Sequence, residues 1–198
     1  MNEQNSTPAD CRRIRALREE LSAWASVPPQ AVCTVRSPYR VCPLGAHVDH
    51  QLGHVTGMAL DRALLLGFVP REDGVVAIRS RQFAGVVEFA LADLARTEPG
   101  DWADYARGAA FALAKARPLR RGITAIVDGH DDVGGLSSSA AVGVAYLLAL
   151  EAANDLEVSP AENIELDRVI ENDYIGLNNG ILDQSVILVS RPGHLTCL

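Results

Sequence analysis

The stretch GGLSSSAA, residues 134–141, follows a short predicted strand at 122–127 and opens an apolar segment that predicts a helix from Ala140 to about Ala153. The first turn of a helix presents unpaired backbone N–H groups and carries a partial positive charge. Two glycines let a bulky anion approach the backbone, and three serines add hydroxyl donors. The stretch therefore predicts a phosphate-binding site at the start of this helix.

Two other interpretations of the same stretch are weaker. Serine is a common helix cap, but a pair of glycines with three serines is more than a cap requires. A Walker A loop is excluded because no Gly-Lys-Ser or Gly-Lys-Thr sequence follows.

Hydrophobic periodicity along the rest of the chain predicts a mixture of helices and strands. Helices are predicted at 10–25, 102–116 and 161–172, and strands at 33–36, 39–42, 55–60, 63–69, 75–80, 86–91, 122–127, 185–190 and 195–198.

The composition is that of a globular domain. Of the 198 residues, 48% are hydrophobic, which excludes a disordered chain. The 18 basic and 25 acidic residues give a net charge of −7, which disfavours nucleic-acid binding. No apolar run approaches the roughly 18 residues that a membrane span needs. The four cysteines form no C-x-x-C pair and residues 1–8 lack the apolar core of a secretion signal, so a cytoplasmic location is expected.

Two further stretches complete the pattern. The first, residues 39–50, reads YRVCPLGAHVDH and is rich in Arg, His and Asp. The second comprises ENDYIG at 171–176 and GILDQ at 180–184, and it places Glu171 and Asp183 twelve residues apart. Together with residues 134–141, they resemble the three N-terminal signatures of the GHMP sugar kinases, in the galactokinase branch.

This resemblance covers about residues 30–198 and implies a fold. It implies an α+β GHMP kinase N-terminal domain like domain 2 of ribosomal protein S5, with a mixed sheet and helices on one face. The expected organisation is a polar tail and helix at 1–29, followed by this domain at 30–198. The glycine-rich G-A-G-x-G-G motif of the family's C-terminal half is absent, so the chain is expected to be the N-terminal half. The apolar face left exposed would then favour self-association.

The resemblance also implies an ATP-dependent sugar kinase with Mg²⁺. Asp183 matches the family's general base, and Arg40 matches the arginine that offsets negative charge near the transferred phosphoryl group. Ser139 and Glu171 match the magnesium ligands. The remaining ATP-binding positions are Gly134, Gly135, Leu136, Ser137 and Ser138, with Trp102 and Tyr105 beside the adenine base; for these two aromatic residues core packing is an equal alternative.

The sugar pocket is implied at Ala46, His47, Asp49 and Gly180. Galactokinases carry a Glu at the position of Ala46, where it contacts the C6 hydroxyl of the sugar. A carboxylate there would repel a substrate whose C6 is itself a carboxylate. Residues 42–51 and 159–172 also look like plant-type galacturonokinases. The expected substrate is therefore D-galacturonate, phosphorylated on its anomeric oxygen.

Several alternatives remain from the sequence. An ordinary galactokinase is the first. A sugar-sensing protein without activity and a non-functional fragment are the others. A zinc cluster of His47, Asp49, His50 and His54 is disfavoured, because Gly45 and Gly53 flank the stretch and it lacks the H-E-x-x-H pattern. The expected partners are a sugar or uronic acid and ATP, with neither nucleic acid nor membrane.

Overall fold

A computed structural model describes residues 8–45, 48, 51, 53–96, 101–130 and 135–198. Its helices are α1 (Pro8–Ala25), α2 (Asp104–Ala116), α3 (Ser138–Ala153), α4 (Pro160–Arg168) and α5 (Leu182–Val189), with a short 3-10 helix at Pro29–Ala31 and a π-helix at Val169–Ile175. Its strands are β1 (Cys33–Leu44), β2 (Thr56–Arg71), β3 (Val75–Ser80), β4 (Val86–Ala90), β5 (Gly122–Asp128) and β6 (Thr196–Cys197). No described helix is both long and apolar enough to cross a membrane.

The strands form one mixed sheet in the order β1-β2-β5-β3-β4, and β6 pairs with β2. The long strand β2 pairs with β1 on one side and with β5 and β6 on the other, all antiparallel. Strands β3 and β5 are parallel. The mixed α+β architecture expected from the sequence is confirmed.

Both faces of this sheet are covered by helices: α2 and α3 cover one face, and α1, which precedes the domain expected at 30–198, covers the other. Alternate residues of a strand point to opposite faces. Leu64 and Leu66 of β2 belong to the main core, which also contains buried residues of α2 and α3. Leu65 belongs to a separate cluster with Leu17 and Leu21 of α1. Leu17 and Leu21 lie four residues apart and form one apolar stripe on α1, so this helix covers the opposite face of the sheet.

Residues 185–189 are part of helix α5, so the strand predicted at 185–190 is wrong. A short apolar run fits a strand or a buried helix equally well, and tertiary packing decides between them. Leu182 and Val186 lie one helical turn apart and pack with Val55 in a small buried cluster. Gly57 of β2 permits this close approach, because a β-carbon there would lie 2.2 Å from Val186 Cγ2.

The sequence predicts a break between the strands at 33–36 and 39–42 and another between those at 55–60 and 63–69. Neither break is present, because β1 continues through Pro38 and β2 through Asp61 and Arg62. Strand β1 lies at an edge of the sheet, where a proline costs no ladder hydrogen bond if its nitrogen faces outwards. The β1–β2 register shifts just after this proline, between Pro38 and Arg40. The continuous β1 carries Arg40 to the start of α3.

Candidate active site

A polar cavity of about 630 Å³ lies where β1, the start of α3, the π-helix and α5 meet. Its wall contains several of the residues that the sequence singled out, and these come from segments far apart in the chain: Arg40, Gly135, Ser137, Ser138, Ser139, Glu171, Gly180 and Asp183. The fold thus brings the three sequence stretches together.

The ion pair between Arg40 and Asp183 forms one side of this cavity. Arg40 Nε donates to Asp183 Oδ1 at 2.6 Å, and the Ser137 hydroxyl donates to Asp183 Oδ2. Arg40 Nη1 also donates to the carbonyl oxygen of Gly135 at 3.3 Å. Asp183 sits in the first turn of α5, with both carboxylate oxygens held by donors. Charge-assisted contacts of this kind orient a carboxylate more firmly than neutral hydrogen bonds do.

The loop before α3 does not cap this helix with a serine side chain. Ser137, the residue before the first helical turn, has φ 55° and ψ 52° and makes no side-chain cap bond. A left-handed conformation is unfavourable for a non-glycine residue and often marks a functional position. Because the Ser137 hydroxyl is used by Asp183, it leaves the first-turn N–H groups of α3 uncapped by this side chain. Such N–H groups suit an anionic ligand.

Two buried carboxyl groups belong to this region: Glu171 lies in the wall of the cavity, and Asp167 precedes it by four residues. Glu171 is 1% exposed; Asn179 Nδ2 donates to its Oε2 at 2.9 Å, while Oε1 has no hydrogen-bond partner among the described residues. Burial raises the pKa of Glu171, and the Asn179 amide, the Ser139 hydroxyl and Arg40 oppose this shift. Asp167 is fully buried, and neither of its oxygens has a partner in the described part of the chain. Burial first, then Glu171 and Asp183, raises the pKa of Asp167 well above its ordinary value.

Asp167 and Asn179 were not predicted from the sequence. The available signal for Asp167 was its spacing, since it precedes Glu171 by four residues and so shares a face of the helix. Asn178 and Asn179 are both exposed, and nothing in the local sequence distinguishes them.

A second cavity of about 550 Å³, called the aromatic cavity below, adjoins the first; its surface is mainly apolar and includes several aromatic rings. Trp102, Tyr105 and Phe83 line it, and Ser138 and Ser139 line both cavities. The rings of Phe83 and Trp102 are stacked, with centroids 5.8 Å apart and planes 9° apart. Burial raises the pKa of Tyr105 to about 12. The sequence did not single out Phe83, an aromatic residue in the polar turn between β3 and β4.

Some predicted site residues lie outside the described residues, namely Gly134, Ala46, His47 and Asp49. Of the alternative zinc cluster, only His54 is described. Within the described ranges, no group of three or more His, Cys, Asp or Glu side chains is arranged to hold a metal ion.

Comparison with known proteins gives a consistent result. Residues 104–191 match the family model for the GHMP kinases N terminal domain. A galacturonokinase of Arabidopsis thaliana is 47% identical, over 96% of this chain and 49% of that protein. A galactokinase of Chloroflexus aurantiacus is 35% identical, over 84% of this chain and 43% of that protein. The crystal structure of Lactococcus lactis galactokinase complexed with galactose has a TM-score of 0.81 at 31% identity, over 87% of this chain and 45% of that chain.

The mixed sheet, its helices and the serine-rich start of α3 define an α+β domain whose helix α3 begins without a side-chain cap. More particularly, this chain contains a GHMP kinase N-terminal domain. The family and fold predicted from the sequence are thereby confirmed. The chain spans about half the length of the curated relatives it matches.

Proposed function

We propose that this chain is the part of an ATP-dependent sugar 1-kinase that binds the sugar and the nucleotide, and that the sugar is D-galacturonate. The reaction would transfer the γ-phosphoryl group of ATP to the anomeric oxygen and give galacturonate 1-phosphate and ADP. The observation that carries the proposal is the Arg40–Asp183 pair, which contacts Gly135 and Ser137 and lines one cavity together with the serine-rich start of α3.

Asp183 is the proposed general base. Its carboxylate would accept the proton of the anomeric hydroxyl as that oxygen bonds to the γ-phosphorus and the bond to the ADP oxygen breaks. The contacts from Arg40 and Ser137 would hold the carboxylate in position for this transfer. Arg40 would in addition offset the negative charge that develops on the transferred group.

The two adjoining cavities suit the two parts of the proposed reaction. The aromatic cavity, with Trp102, Tyr105 and Phe83, offers ring faces to an adenine base. The polar cavity offers hydrogen-bonding groups to a sugar. Ser138 and Ser139 line both cavities, so phosphates at the start of α3 would connect a base on one side with a sugar on the other.

A magnesium ion fits the residues present. The unpartnered buried oxygen of Glu171 is a hard anionic ligand, and the Ser139 hydroxyl is close enough to lower the pKa of this carboxyl group. Glu171 and Ser139 would hold the ion, and the remaining ligands would be phosphate oxygens and water. When bound, the ion would neutralise charge on the transferred phosphoryl group.

The choice of galacturonate rests on two observations. A relative called galacturonokinase is 47% identical over nearly all of this chain. In the resemblance to galactokinases drawn above, Ala46 stands where that family carries the Glu that contacts the C6 hydroxyl. Galactose is the second candidate, since galactokinases are also similar and the Lactococcus lactis structure contains galactose.

Sugar selectivity can be tested by joining residues 1–198 to the second half of the Arabidopsis thaliana galacturonokinase. ADP release with MgATP is then measured with galacturonate, galactose or no sugar. We expect galacturonate to give the higher kcat/KM. A higher kcat/KM for galactose would favour the second candidate, and no sugar-dependent ADP release would contradict the kinase proposal. A cytoplasmic location, the absence of nucleic-acid partners and self-association stay predictions.

A further inference from the structure

The main chain around Glu171 is fixed by the end of the π-helix. The Glu171 carbonyl oxygen accepts hydrogen bonds from the N–H groups of Gly176 and of Leu177, the second at 2.8 Å. Gly176 has φ 87°, a conformation that favours glycine and lets the chain reverse direction here. These contacts hold the backbone of Glu171, but its carboxyl group is oriented by other atoms.

The side-chain amide of Asn179 holds one oxygen of this carboxyl group. Asn179 Nδ2 donates to Glu171 Oε2 at 2.9 Å, and Oε1 is left without a partner among the described residues. Both residues line the polar cavity. A donor that occupies one oxygen of a carboxylate limits its rotation and leaves the other oxygen for a cation.

Asn179 is itself held through its main chain. Asn172 Nδ2 donates to the Asn179 carbonyl oxygen at 3.0 Å, and the Asn179 N–H donates to Asn172 Oδ1 at 3.0 Å. Any residue at position 179 other than proline keeps both of these backbone groups. Replacing the Asn179 side chain therefore removes the contact with Glu171 and leaves the loop anchored by Asn172.

We propose that Asn179 is a positioning residue that orients Glu171 for the divalent cation bound with the nucleotide. This inference rests on the proposed function, because it requires Glu171 to be a cation ligand. Asn179 also lies four residues before Asp183, so the segment 179–183 carries both the group that orients the cation ligand and the proposed base.

The test compares the unmodified chain with Asn179→Ala and with Asn178→Ala, a matched change at the exposed neighbouring position. Mn²⁺ binding is measured by electron paramagnetic resonance in the presence of a non-hydrolysable ATP analogue. The affinity for the analogue without metal is measured by calorimetry in EDTA, and thermal unfolding is recorded for each protein.

Asn179→Ala should weaken Mn²⁺ binding by about tenfold or more, the usual effect of losing a group that orients a metal ligand. Its metal-free affinity for the analogue and its melting temperature should match those of Asn178→Ala. Unchanged Mn²⁺ binding in Asn179→Ala would overturn the inference. An equal loss of metal-dependent and metal-free binding would overturn it too, because that result indicates a general structural role. If the unmodified chain binds no Mn²⁺ with the analogue, the cation site of the proposed function fails, and the inference fails with it.

Discussion

At the scale of single residues, the site depends on how three carboxyl groups are held. Asp183 has donors on both oxygens, from Arg40 and from Ser137. Glu171 has a donor on one oxygen, and Asp167 has none in the described part of the chain. The same chemical group is therefore suited to three tasks: an oriented base, a ligand with one free oxygen, and a buried acid that favours its neutral form.

The burial of Asp167 predicts a specific pH dependence of stability. Its pKa is raised in the folded chain, so the neutral acid is favoured there, and folding is opposed once the pH exceeds the unfolded value near 4. Asp167→Asn removes this titration. The variant should gain stability relative to the unmodified chain as the pH rises, by up to about 1.4 kcal/mol per pH unit until the folded pKa is reached.

Urea unfolding at pH 5, 6.5 and 8 measures this difference. The test is how the stability difference between the variant and the unmodified chain changes with pH. The other effects of the new amide shift this difference by the same amount at every pH. Asp173→Asn, at an exposed position, is measured alongside it as the control. A stability difference for Asp167→Asn that is independent of pH would contradict the account of Asp167.

The identity of residue 46 should control the choice of sugar. Ala46→Glu introduces a carboxylate that would repel a C6 carboxylate and accept a hydrogen bond from a C6 hydroxyl. Relative kcat/KM should shift from galacturonate towards galactose by about 30- to 1,000-fold, equivalent to about 2–4 kcal/mol. A competition assay with both sugars, on the joined protein described above, measures the shift. Continued preference for galacturonate in the Glu variant would show that Ala46 does not set C6 selectivity.

At the scale of elements, helix termini shape the domain in two different ways. Helix α3 begins at Ser138 without a side-chain cap, next to the proposed phosphate site. Helix α4 begins with a capping box, in which the Glu162 N–H donates to Ser159 Oγ at 3.2 Å and the Ser159 N–H donates to Glu162 Oε2 at 3.0 Å. The N-terminus of α3 is therefore open to a ligand, whereas the N-terminus of α4 is capped by the side chains of Ser159 and Glu162.

Removing the cap of α4 should cost stability but not ligand binding. Ser159→Ala removes the acceptor for the Glu162 N–H and should lower the free energy of unfolding by about 1 kcal/mol. Urea unfolding measures the loss. Glu162→Gln keeps an acceptor for the Ser159 N–H and should lose less. An unaltered midpoint for Ser159→Ala would mean that the box contributes nothing to the folded chain.

The elements also show what a sequence can and cannot predict. The start of α3 was predictable, because glycines, serines and a long apolar segment are local signals. The prediction of a strand at 185–190 was wrong, because the packing of Val186 against Val55 determines the structure of this apolar segment. Asp167 and Asn179 could not be assigned, since their roles depend on burial and on contacts that form only in the folded chain.

At the scale of the whole molecule, the domain has buried cores on both faces of its sheet and several exposed apolar side chains. Leu44 is 70% exposed and Leu195 is 57% exposed. They lie near the end of the sheet where β6 pairs with β2. Single exposed apolar side chains are normal on a protein surface, so their number alone assigns no partner.

Phosphoryl transfer in the polar cavity, with Asp183 as the base, is the proposed function. The most direct measurement is the kcat of Asp183→Asn in the joined protein, together with its affinity for the nucleotide. We predict a loss of about 100-fold or more in kcat, the usual contribution of a general base, with nucleotide affinity unchanged. Asp173→Asn, the matched change at an exposed carboxylate, should keep full activity. If Asp183→Asn kept more than about a tenth of the kcat, well above what remains when a general base is lost, the result would contradict the account.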